Sequence, residues 1–283
     1  MVVNKKTALV TGSSEGGIGF AIAKEFQSRG IHVFATARNP DKVTALAKLS
    51  NVTVLASDVT SPASADAAVA AVSEQIGGTL DYLVNNAGAQ YCLPTLDMDL
   101  EIARKMYDVN VWGVVAVTQA FAPLIIKAKG SIANLASVAG LWRAPFTALY
   151  AGSKSALETI SETLRYELKP LGVRVLTVNT GAIQTNLFAN AYGGTQVPAD
   201  SLYAPISKDI ENRLSGKEME GQLGKPEDFA KALAGDMIGG TSGYVSRGKM
   251  FSFIRFATLY FPAFLLDRMV VNGTGLDRLA KTA

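Results

Sequence analysis

A tyrosine and a lysine four residues apart, Tyr150 and Lys154, are the first residues in this sequence whose types and spacing suggest chemistry. Residues i and i+4 share one helix face, so the ammonium group can approach the phenol and lower its pKa from about 10 towards a working pH. A tyrosine in that environment can donate a proton to a reacting oxygen. Because Tyr-x-x-x-Lys pairs occur in many unrelated helices, the prediction of an acid–base site also depends on Ser137, which lies upstream at the end of a predicted strand.

A glycine-rich segment at residues 11–19, Thr-Gly-Ser-Ser-Glu-Gly-Gly-Ile-Gly, lies between the first predicted strand and the first predicted helix. Glycines permit a sharp turn and let the backbone approach a pyrophosphate, whose charge is attracted by the N–H groups and dipole of a helix N-terminus. A loop that is only a tight turn stays open as the alternative. The predicted phosphate contacts are Gly12, Ser14, Gly17, Ile18 and Gly19.

Two other enzyme classes share parts of this segment. Residues 12–16 have the Gly-x-Ser-x-Gly spacing of a hydrolase nucleophile elbow, but the only histidine, His32, follows the serine too closely for the serine, acid, histidine order of that fold. A phosphate loop of the NTPase type requires a lysine where Ile18 follows Gly17. Neither class fits the sequence.

The end of the second predicted strand indicates which dinucleotide binds. An NAD site usually has an acidic residue there for the ribose hydroxyls, whereas this chain has Arg38, whose guanidinium suits a 2′-phosphate. The sequence therefore favours NADP(H), with a solvated arginine as the alternative. Glu15 adds a carboxylate that can lie near the same phosphate. Asp58 and Val59, after the third predicted strand, are candidate contacts on the adenine side.

The elements that must position these residues alternate along the chain. In the first helical pattern Ile18, Ile22 and Phe26 recur at helical spacing before Gly30, and a similar pattern covers residues 157–168. Repeated strand–helix–strand order predicts an α/β fold, a single-domain Rossmann fold with a doubly wound parallel sheet and helices on both faces. Ligands of such folds bind at the carboxyl ends of the strands. The predicted strands are residues 7–10, 31–35, 52–55, 82–84, 131–135 and 173–178.

Composition narrows the function classes. The chain has 283 residues, 48% of them hydrophobic, and can bury a large core. Its net charge of +3 is spread among interspersed charges, so no nucleic-acid partner is expected. A single cysteine, Cys92, excludes an internal disulfide and a cysteine-based zinc site, and no metal is expected. The apolar run after the basic N-terminus is too short for a signal peptide, which predicts a protein on the cytoplasmic side.

Taken together, these residues resemble the short-chain dehydrogenase/reductases over most of residues 5–245. The resemblance is carried by the glycine loop, Asn85-Asn86-Ala87-Gly88 after the fourth predicted strand, Asn110, Ser137, Tyr150 with Lys154, and the segment 179–185. Two features depart from the family pattern. The glycine loop has one residue more than the usual spacing before Gly17, which leaves the phosphate contacts open. Thr180 replaces the proline usual before Gly181, which is expected to loosen the strand end beneath the nicotinamide.

The resemblance implies a role for each site residue around NADP(H). Tyr150 would be the general acid in reduction, Ser137 would hydrogen-bond the substrate carbonyl, and Lys154 would hold the ribose and tune Tyr150. Asn110 would help to organise a proton-relay water. Hydride would pass from C4 of NADPH to the carbonyl carbon. The remaining implied cofactor contacts are Asn86, Ala87 and Gly88 on the adenosine side and Gly181, Ile183 and Thr185 near the nicotinamide.

Within the family, the Ala-Arg pair at the cofactor end, residues 121–130 and the C-terminal tail resemble the fungal reductases of 1-acyldihydroxyacetone phosphate. This implies an apolar or lipid-like ketone as the substrate. Two alternatives stay open: a reductase or dehydrogenase of a steroid or secondary-metabolite ketone, and a non-catalytic NADP-binding regulatory protein.

Two segments leave substrate and partners open. Residues 185–227 are interpreted as a lid of the catalytic domain (1–249) or a surface excursion, with Lys208, Arg213 and Lys217 as candidate phosphate contacts. The extension 250–283 belongs to the same domain, and the charges and proline of its apolar part, 250–271, argue against a spanning helix. That part is interpreted as an interfacial anchor on endoplasmic reticulum or lipid droplets, a pocket wall, or a surface of a homodimer or homotetramer.

Overall fold

The computed structural model describes residues 5–188, 190–194, 196–216, 221 and 223–280. Within these residues a single sheet of seven strands has the order β3-β2-β1-β4-β5-β6-β7, and all neighbouring strands are parallel. The strands are β1 (Thr7–Val10), β2 (His32–Ala37), β3 (Val52–Ala56), β4 (Tyr82–Asn85), β5 (Ser131–Ser137), β6 (Arg174–Thr180) and β7 (Gly243–Arg247).

Helices connect the strands and cover both faces of the sheet. A π-helical turn, Asp108–Trp112, joins two of them into one continuous run. The helices are α1 (Ile18–Ser28), α2 (Thr44–Ala47), α3 (Pro62–Ile76), α4 (Leu100–Tyr107), α5 (Gly113–Ala128), α6 (Ala139–Trp142), α7 (Ala148–Leu168), α8 (Ser207–Leu214), α9 (Pro226–Ile238), α10 (Phe251–Tyr260), α11 (Ala263–Val271) and α12 (Leu276–Leu279).

Two apolar cores lie on opposite faces of the sheet. Successive strand residues point to opposite faces, so Leu83 joins the core beneath α3, α4 and α5, whereas Val84 joins the core beneath α1 and α9. This arrangement confirms the predicted doubly wound parallel sheet. Strands β1 to β3 are added towards one edge of the sheet and β4 to β7 towards the other, so the strand order reverses between β1 and β4. This reversal opens a crevice at the carboxyl ends of the strands.

The sequence patterns locate most of these elements. All six predicted strands are present, and their observed ends differ from the predicted ones by no more than two residues. Helix α1 buries Ile22 and Phe26 and ends before Gly30, whose φ of +79° suits a helix terminus. Strand β7 was not predicted, because Gly243–Arg247 offers only Tyr244 and Val245 as apolar residues and owes its strand conformation to pairing with β6.

The run Leu100–Ala128, which comprises α4, the π-helical turn and α5, is long and apolar enough to cross a membrane by length and composition. More than half of its most apolar window (56%) is buried inside the fold. Core helices of soluble proteins meet the same criterion, so length and composition alone assign no membrane role to it.

The segment after β6 and the C-terminal helices pack on the sheet domain. The Tyr192 N–H donates to the Gln90 carbonyl (2.7 Å), and α8 buries Ile210 and Leu214. Helix α10 buries Phe251, Ile254 and Ala257 on one side. An ion pair between Arg278 and Asp209 links α12 to α8.

Candidate active site

A groove of about 1340 Å³ runs along the carboxyl ends of the strands. The strand order places Arg38 and Asp58, which follow β2 and β3, at one end of it. At the other end lie the segment after β6 and α10, with Phe188 and Met250 in the lining. The groove therefore occupies the place where open α/β sheets bind their ligands.

The tyrosine and the serine meet inside this groove. Ser137 ends β5, Tyr150 lies in the first turn of α7, and the two side chains are near enough for the serine hydroxyl to influence the pKa of the phenol. Burial raises the pKa of the Tyr150 phenol to about 12, while the neighbouring Ser137 hydroxyl acts in the opposite direction and the nearby Cys92 raises it further. The phenol therefore holds its proton at neutral pH and is a proton donor.

Lys154 lies one helical turn after Tyr150 and is also buried. Its Nζ donates to the Leu135 carbonyl (3.0 Å), and burial lowers its pKa to about 8. The expectation that this ammonium brings the pKa of Tyr150 below its usual value is wrong for this structure. Loss of hydration dominates both groups, and it opposes the charged form of each.

Asn110 lies behind the groove in the π-helical turn, a feature often found at functional sites. Its Oδ1 accepts from the Ala89 N–H (2.8 Å), and its Nδ2 donates to the Ala89 carbonyl (2.9 Å) and to Ser153 Oγ (3.0 Å). Ser153 Oγ in turn donates to the Tyr150 carbonyl (2.7 Å). Asn110 thus connects the loop after β4 to the helix that carries Tyr150, and its role towards a relay water stays a prediction.

The glycine loop is held in place by the loop after β4. Asn86 Nδ2 donates to the carbonyls of Thr11 (2.8 Å) and Gly12 (3.0 Å). The Thr11 hydroxyl accepts from the N–H groups of Asn86 and Ala87 (3.0 Å each), so this threonine has a structural role that the motif analysis missed. Gly19 does not line the groove, because it packs beneath the loop, where a Cβ would overlap the Gly12 carbonyl and the Asn86 amide.

The additional residue in the glycine loop is accommodated by a turn towards α2. Gly16 has a φ of +77°. The Glu15 N–H donates to the Lys42 carbonyl (2.9 Å), and the Glu15 carboxylate accepts from Thr44 Oγ1 (3.2 Å) and the Ala45 N–H (2.9 Å). The carboxylate that the sequence analysis considered as a neighbour of a 2′-phosphate is therefore hydrogen-bonded to the start of α2. Lys42, which the sequence analysis did not consider, lines the same end of the groove as Arg38.

Asp58, a predicted contact on the adenosine side, already has hydrogen bonds within its own loop. Asp58 Oδ1 accepts from the backbone N–H (3.0 Å) and hydroxyl (2.8 Å) of Thr60, so one of its oxygens is used by its own turn. The predicted cofactor residues that line the groove are Gly12, Ser14, Gly17, Ile18, Arg38, Asp58, Val59, Asn86, Ala87, Gly88, Tyr150, Lys154, Gly181, Ile183 and Thr185.

The strand end at Thr180 is not loosened. The Val138 N–H donates to the Thr180 carbonyl (3.0 Å) and the Gly181 N–H donates to the Arg247 carbonyl (2.7 Å), so β6 is paired on both sides up to its end. Among the described residues, the buried Thr180 hydroxyl has no hydrogen-bond partner.

The sequence analysis missed most residues at the end of the groove that is farthest from Arg38, which we call the substrate end. They have no common motif, since they come from α6, the segment after β6, and α10. Of the three basic residues considered in residues 185–227, Arg213 lines the groove, Lys208 does not, and Lys217 lies outside the described residues. Apolar and aromatic side chains here include Trp142, Leu187, Phe188, Tyr192, Leu223, Met250 and Ile254.

No group of three or more His, Cys, Asp or Glu side chains in the described residues is placed to hold a metal ion. The glycine turns, the cations at the β2 end and the size of the groove do fit a dinucleotide. An extended dinucleotide along the strand ends would bring its nicotinamide end near the Ser137–Tyr150 pair.

Comparison with known proteins agrees with this geometry. Residues 6–194 match the family model described as short chain dehydrogenase. A short-chain dehydrogenase of Penicillium ochrochloron is 42% identical over 275 residues, which cover 97% of this chain and 100% of that protein. The NADPH-dependent 1-acyldihydroxyacetone phosphate reductase of Schizosaccharomyces pombe is 37% identical over 238 residues, 83% of this chain and 79% of that protein.

Solved structures show the same fold. A short-chain dehydrogenase from Streptomyces avermitilis superposes with a TM-score of 0.78 at 27% identity, covering 100% of this chain and 99% of that one. A short chain dehydrogenase from Burkholderia cenocepacia, solved in complex with NADP, has a TM-score of 0.75 at 23% identity, covering 95% and 98%.

Proposed function

Since this chain belongs to the short-chain dehydrogenase family, and is thus an oxidoreductase acting on small molecules with a nicotinamide cofactor, we propose that it reduces an apolar, lipid-like ketone with NADPH. One observation carries this proposal. The Ser137–Tyr150 pair lies in a single groove that fits a dinucleotide at one end and is apolar at the other.

The preference for NADPH is supported by the cations at the β2 end of the groove. Arg38 and Lys42 both line it there, and a guanidinium pairs well with a phosphate. The Schizosaccharomyces pombe relative is named as NADPH-dependent. We expect Arg38→Ala to weaken NADPH binding by about tenfold, the effect of one lost charge-assisted contact, with little change for NADH. Equal losses for both cofactors would refute the 2′-phosphate assignment.

The mechanism follows from the positions of three side chains. Bound NADPH supplies the hydride. Tyr150, protonated at neutral pH because of its raised pKa, donates its proton to the carbonyl oxygen, and Ser137 orients that oxygen by a hydrogen bond. Lys154, buried one turn along α7, would hold the ribose of the bound cofactor, the role that the family resemblance gives it.

The lining of the substrate end supports an apolar ketone. Leu187, Leu223 and Ile254 offer aliphatic surface there. Trp142 and Phe188 add flat aromatic surface, which favours the second candidate, a ring-containing ketone of the steroid or secondary-metabolite type. The two candidates share one mechanism and differ only in the shape of the substrate.

A substrate panel distinguishes these candidates. NADPH oxidation would be followed with 1-acyldihydroxyacetone phosphate, steroid ketones and polyketide-like aromatic ketones, with NADH in parallel. Preferred turnover of the acyl phosphate supports the lipid-like substrate, and turnover of ring ketones alone supports the second candidate. NADPH binding without turnover of any ketone would favour a non-catalytic role.

We also propose that the exposed side of α10 contacts a lipid surface. Phe253, Phe256 and Tyr260 are 49%, 53% and 70% exposed, on the side opposite the buried residues of the helix. Met250, half exposed, also lines the groove, so this apolar surface is continuous with the groove entrance. Lys249 is exposed beside it and favours anionic headgroups.

Liposome co-sedimentation tests this contact. We expect a Phe253→Ser and Phe256→Ser double variant to lose binding to anionic vesicles, whereas Leu96→Ser, an exposed leucine before α4, retains it. If the double variant binds vesicles normally but changes the oligomeric mass, the surface is a subunit interface and the lipid contact is wrong.

A further inference from the structure

Asn186 connects two loops that follow strands separated from each other in the sheet. It follows β6, and its Nδ2 donates to the Glu15 carbonyl of the glycine loop after β1 (3.2 Å). It also packs against Gly16, where an added Cβ would lie 2.6 Å from the same nitrogen. We call this pairing of Asn186 with Glu15 and Gly16 the strap.

The sheet order shows where the strap runs. Strands β4 and β5 lie between β1 and β6, so the two loops begin about 14 Å apart at the usual strand spacing. Asn186 must therefore reach across the carboxyl ends of β4 and β5, where Ala87 and Ser137 line the groove. A dinucleotide extended from Arg38 to Ile183 would lie beneath the strap near its middle.

The strap involves the part of the glycine loop before Gly17, where this chain has one residue more than the usual family spacing. Gly16 has a φ of +77°, a conformation that disfavours side chains, and an added Cβ there would displace the Asn186 amide. Glu15 is displaced towards α2 by its own hydrogen bonds, which turns its carbonyl towards Asn186. The longer loop thus presents the carbonyl and the bare backbone that Asn186 contacts.

We propose that Asn186 and the lengthened glycine loop close over the bound dinucleotide and slow its release. This rests on the cofactor site of the proposed function. Asn186 and Glu15 are both exposed, so their hydrogen bond contributes little to the stability of the fold and is free to open and close. Loss of one such neutral hydrogen bond is expected to speed NADPH dissociation by about threefold to tenfold.

The release rate would be measured by stopped-flow displacement of NADPH from the full-length protein. Asn186→Ala is expected to raise the dissociation rate by about threefold to tenfold, and to lower the melting temperature in the absence of cofactor by no more than about 4 °C. Asn212→Ala, an exposed asparagine on α8 that does not line the groove, is the matched control and should release NADPH at the wild-type rate.

A double-mutant cycle tests whether the two loops act together. Gly16→Ala is expected to speed release as well, because the new Cβ meets the Asn186 amide, and the double variant should release no faster than the faster single variant. Gly194→Ala adds a Cβ at a similar φ of +75°, where no atom of the described residues lies within 4 Å, and so controls for backbone strain alone.

The outcomes separate this proposal from the proposed function. Wild-type release rates in Asn186→Ala and Gly16→Ala, or rate effects that multiply in the double variant, would overturn the strap while leaving the cofactor site intact. Failure of the wild-type protein to bind either NADPH or NADH would overturn the proposed function and the strap with it.

Discussion

The two ends of the groove are built in different ways. At the cofactor end, short loops directly after strands hold backbone groups in place, as Asn86 holds the carbonyls of Thr11 and Gly12. At the substrate end, side chains from α6, the segment after β6, and α10 converge from positions more than 100 residues apart in the sequence. We therefore expect cofactor binding to depend on local backbone geometry, and substrate selection to depend on tertiary packing.

A substitution at Tyr150, which lies where the two ends of the groove meet, should have the largest effect on activity. We expect Tyr150→Phe to lower the rate of ketone reduction by about a hundredfold to ten-thousandfold, because it removes the proton donor. NADPH affinity, measured by fluorescence titration, should stay unchanged, since the ring and its packing remain. A variant that reduces ketone at the wild-type rate would remove Tyr150 from the proposed mechanism.

Lys154 should link activity, stability and pH. Its pKa is about 8 in the fold against 10.5 for an ordinary lysine, so between these pH values the unfolded chain holds a proton that the folded chain has lost. Stability from this group therefore rises with pH across that window, and below it the buried ammonium costs on the order of 3 kcal/mol.

We therefore expect Lys154→Met to be more stable than the wild type at neutral pH, by up to on the order of 3 kcal/mol, while losing most activity. Urea unfolding of both proteins at pH 7 and pH 9, without cofactor, measures this difference. A variant that is less stable at pH 7, or whose advantage does not shrink at pH 9, would contradict the assignment of a buried, destabilising charge.

Gly19→Ala should damage the cofactor end. A Cβ there overlaps the Gly12 carbonyl and the Asn86 amide, so we expect roughly 1–3 kcal/mol of lost stability together with weaker NADPH binding. Gly235→Ala, at an exposed position of α9, is the matched control. No atom of the described residues lies within 4 Å of the added Cβ, and the variant should gain about 0.5–1 kcal/mol. Thermal and urea unfolding measure the stability of both variants. If Gly19→Ala and Gly235→Ala change stability by the same amount, the packing argument for Gly19 is wrong.

Trp142→Ala should affect only the substrate end. Loss of a large aromatic wall is expected to lower kcat/KM for the preferred ketone by at least about tenfold. NADPH affinity should not change, because the indole comes from α6 at the other end of the groove from Arg38. A parallel loss of NADPH affinity would show that the two ends are not independent.

The smallest effect is expected at Thr180. Its buried hydroxyl has no hydrogen-bond partner in the part of the chain that the structure describes, so Thr180→Val replaces an unsatisfied polar atom with a methyl group of similar size. We expect the variant to be as stable as the wild type or more stable by up to about 1 kcal/mol in urea unfolding. A clear loss of stability would show that the hydroxyl has a bonding partner.

Prediction from the sequence succeeded where a short pattern is sufficient. The buried strands, α1 and the Tyr150–Lys154 spacing depend on residues close together in the chain, and the structure has them where the patterns indicated. Prediction failed for features that depend on residues far away in the sequence. Strand β7 depends on β6, and the raised pKa of Tyr150 depends on burial by elements that spacing alone does not show.

By itself, the sequence determined the doubly wound α/β fold, the family and the residues that meet at the strand ends, because strand alternation and glycine conformation are local properties. Only the tertiary structure decided the walls of the substrate end, the placement of Asn186 against Glu15, and the direction of the pKa changes in Tyr150 and Lys154. Each of these depends on how much water is excluded and on which distant groups approach, and both are consequences of packing.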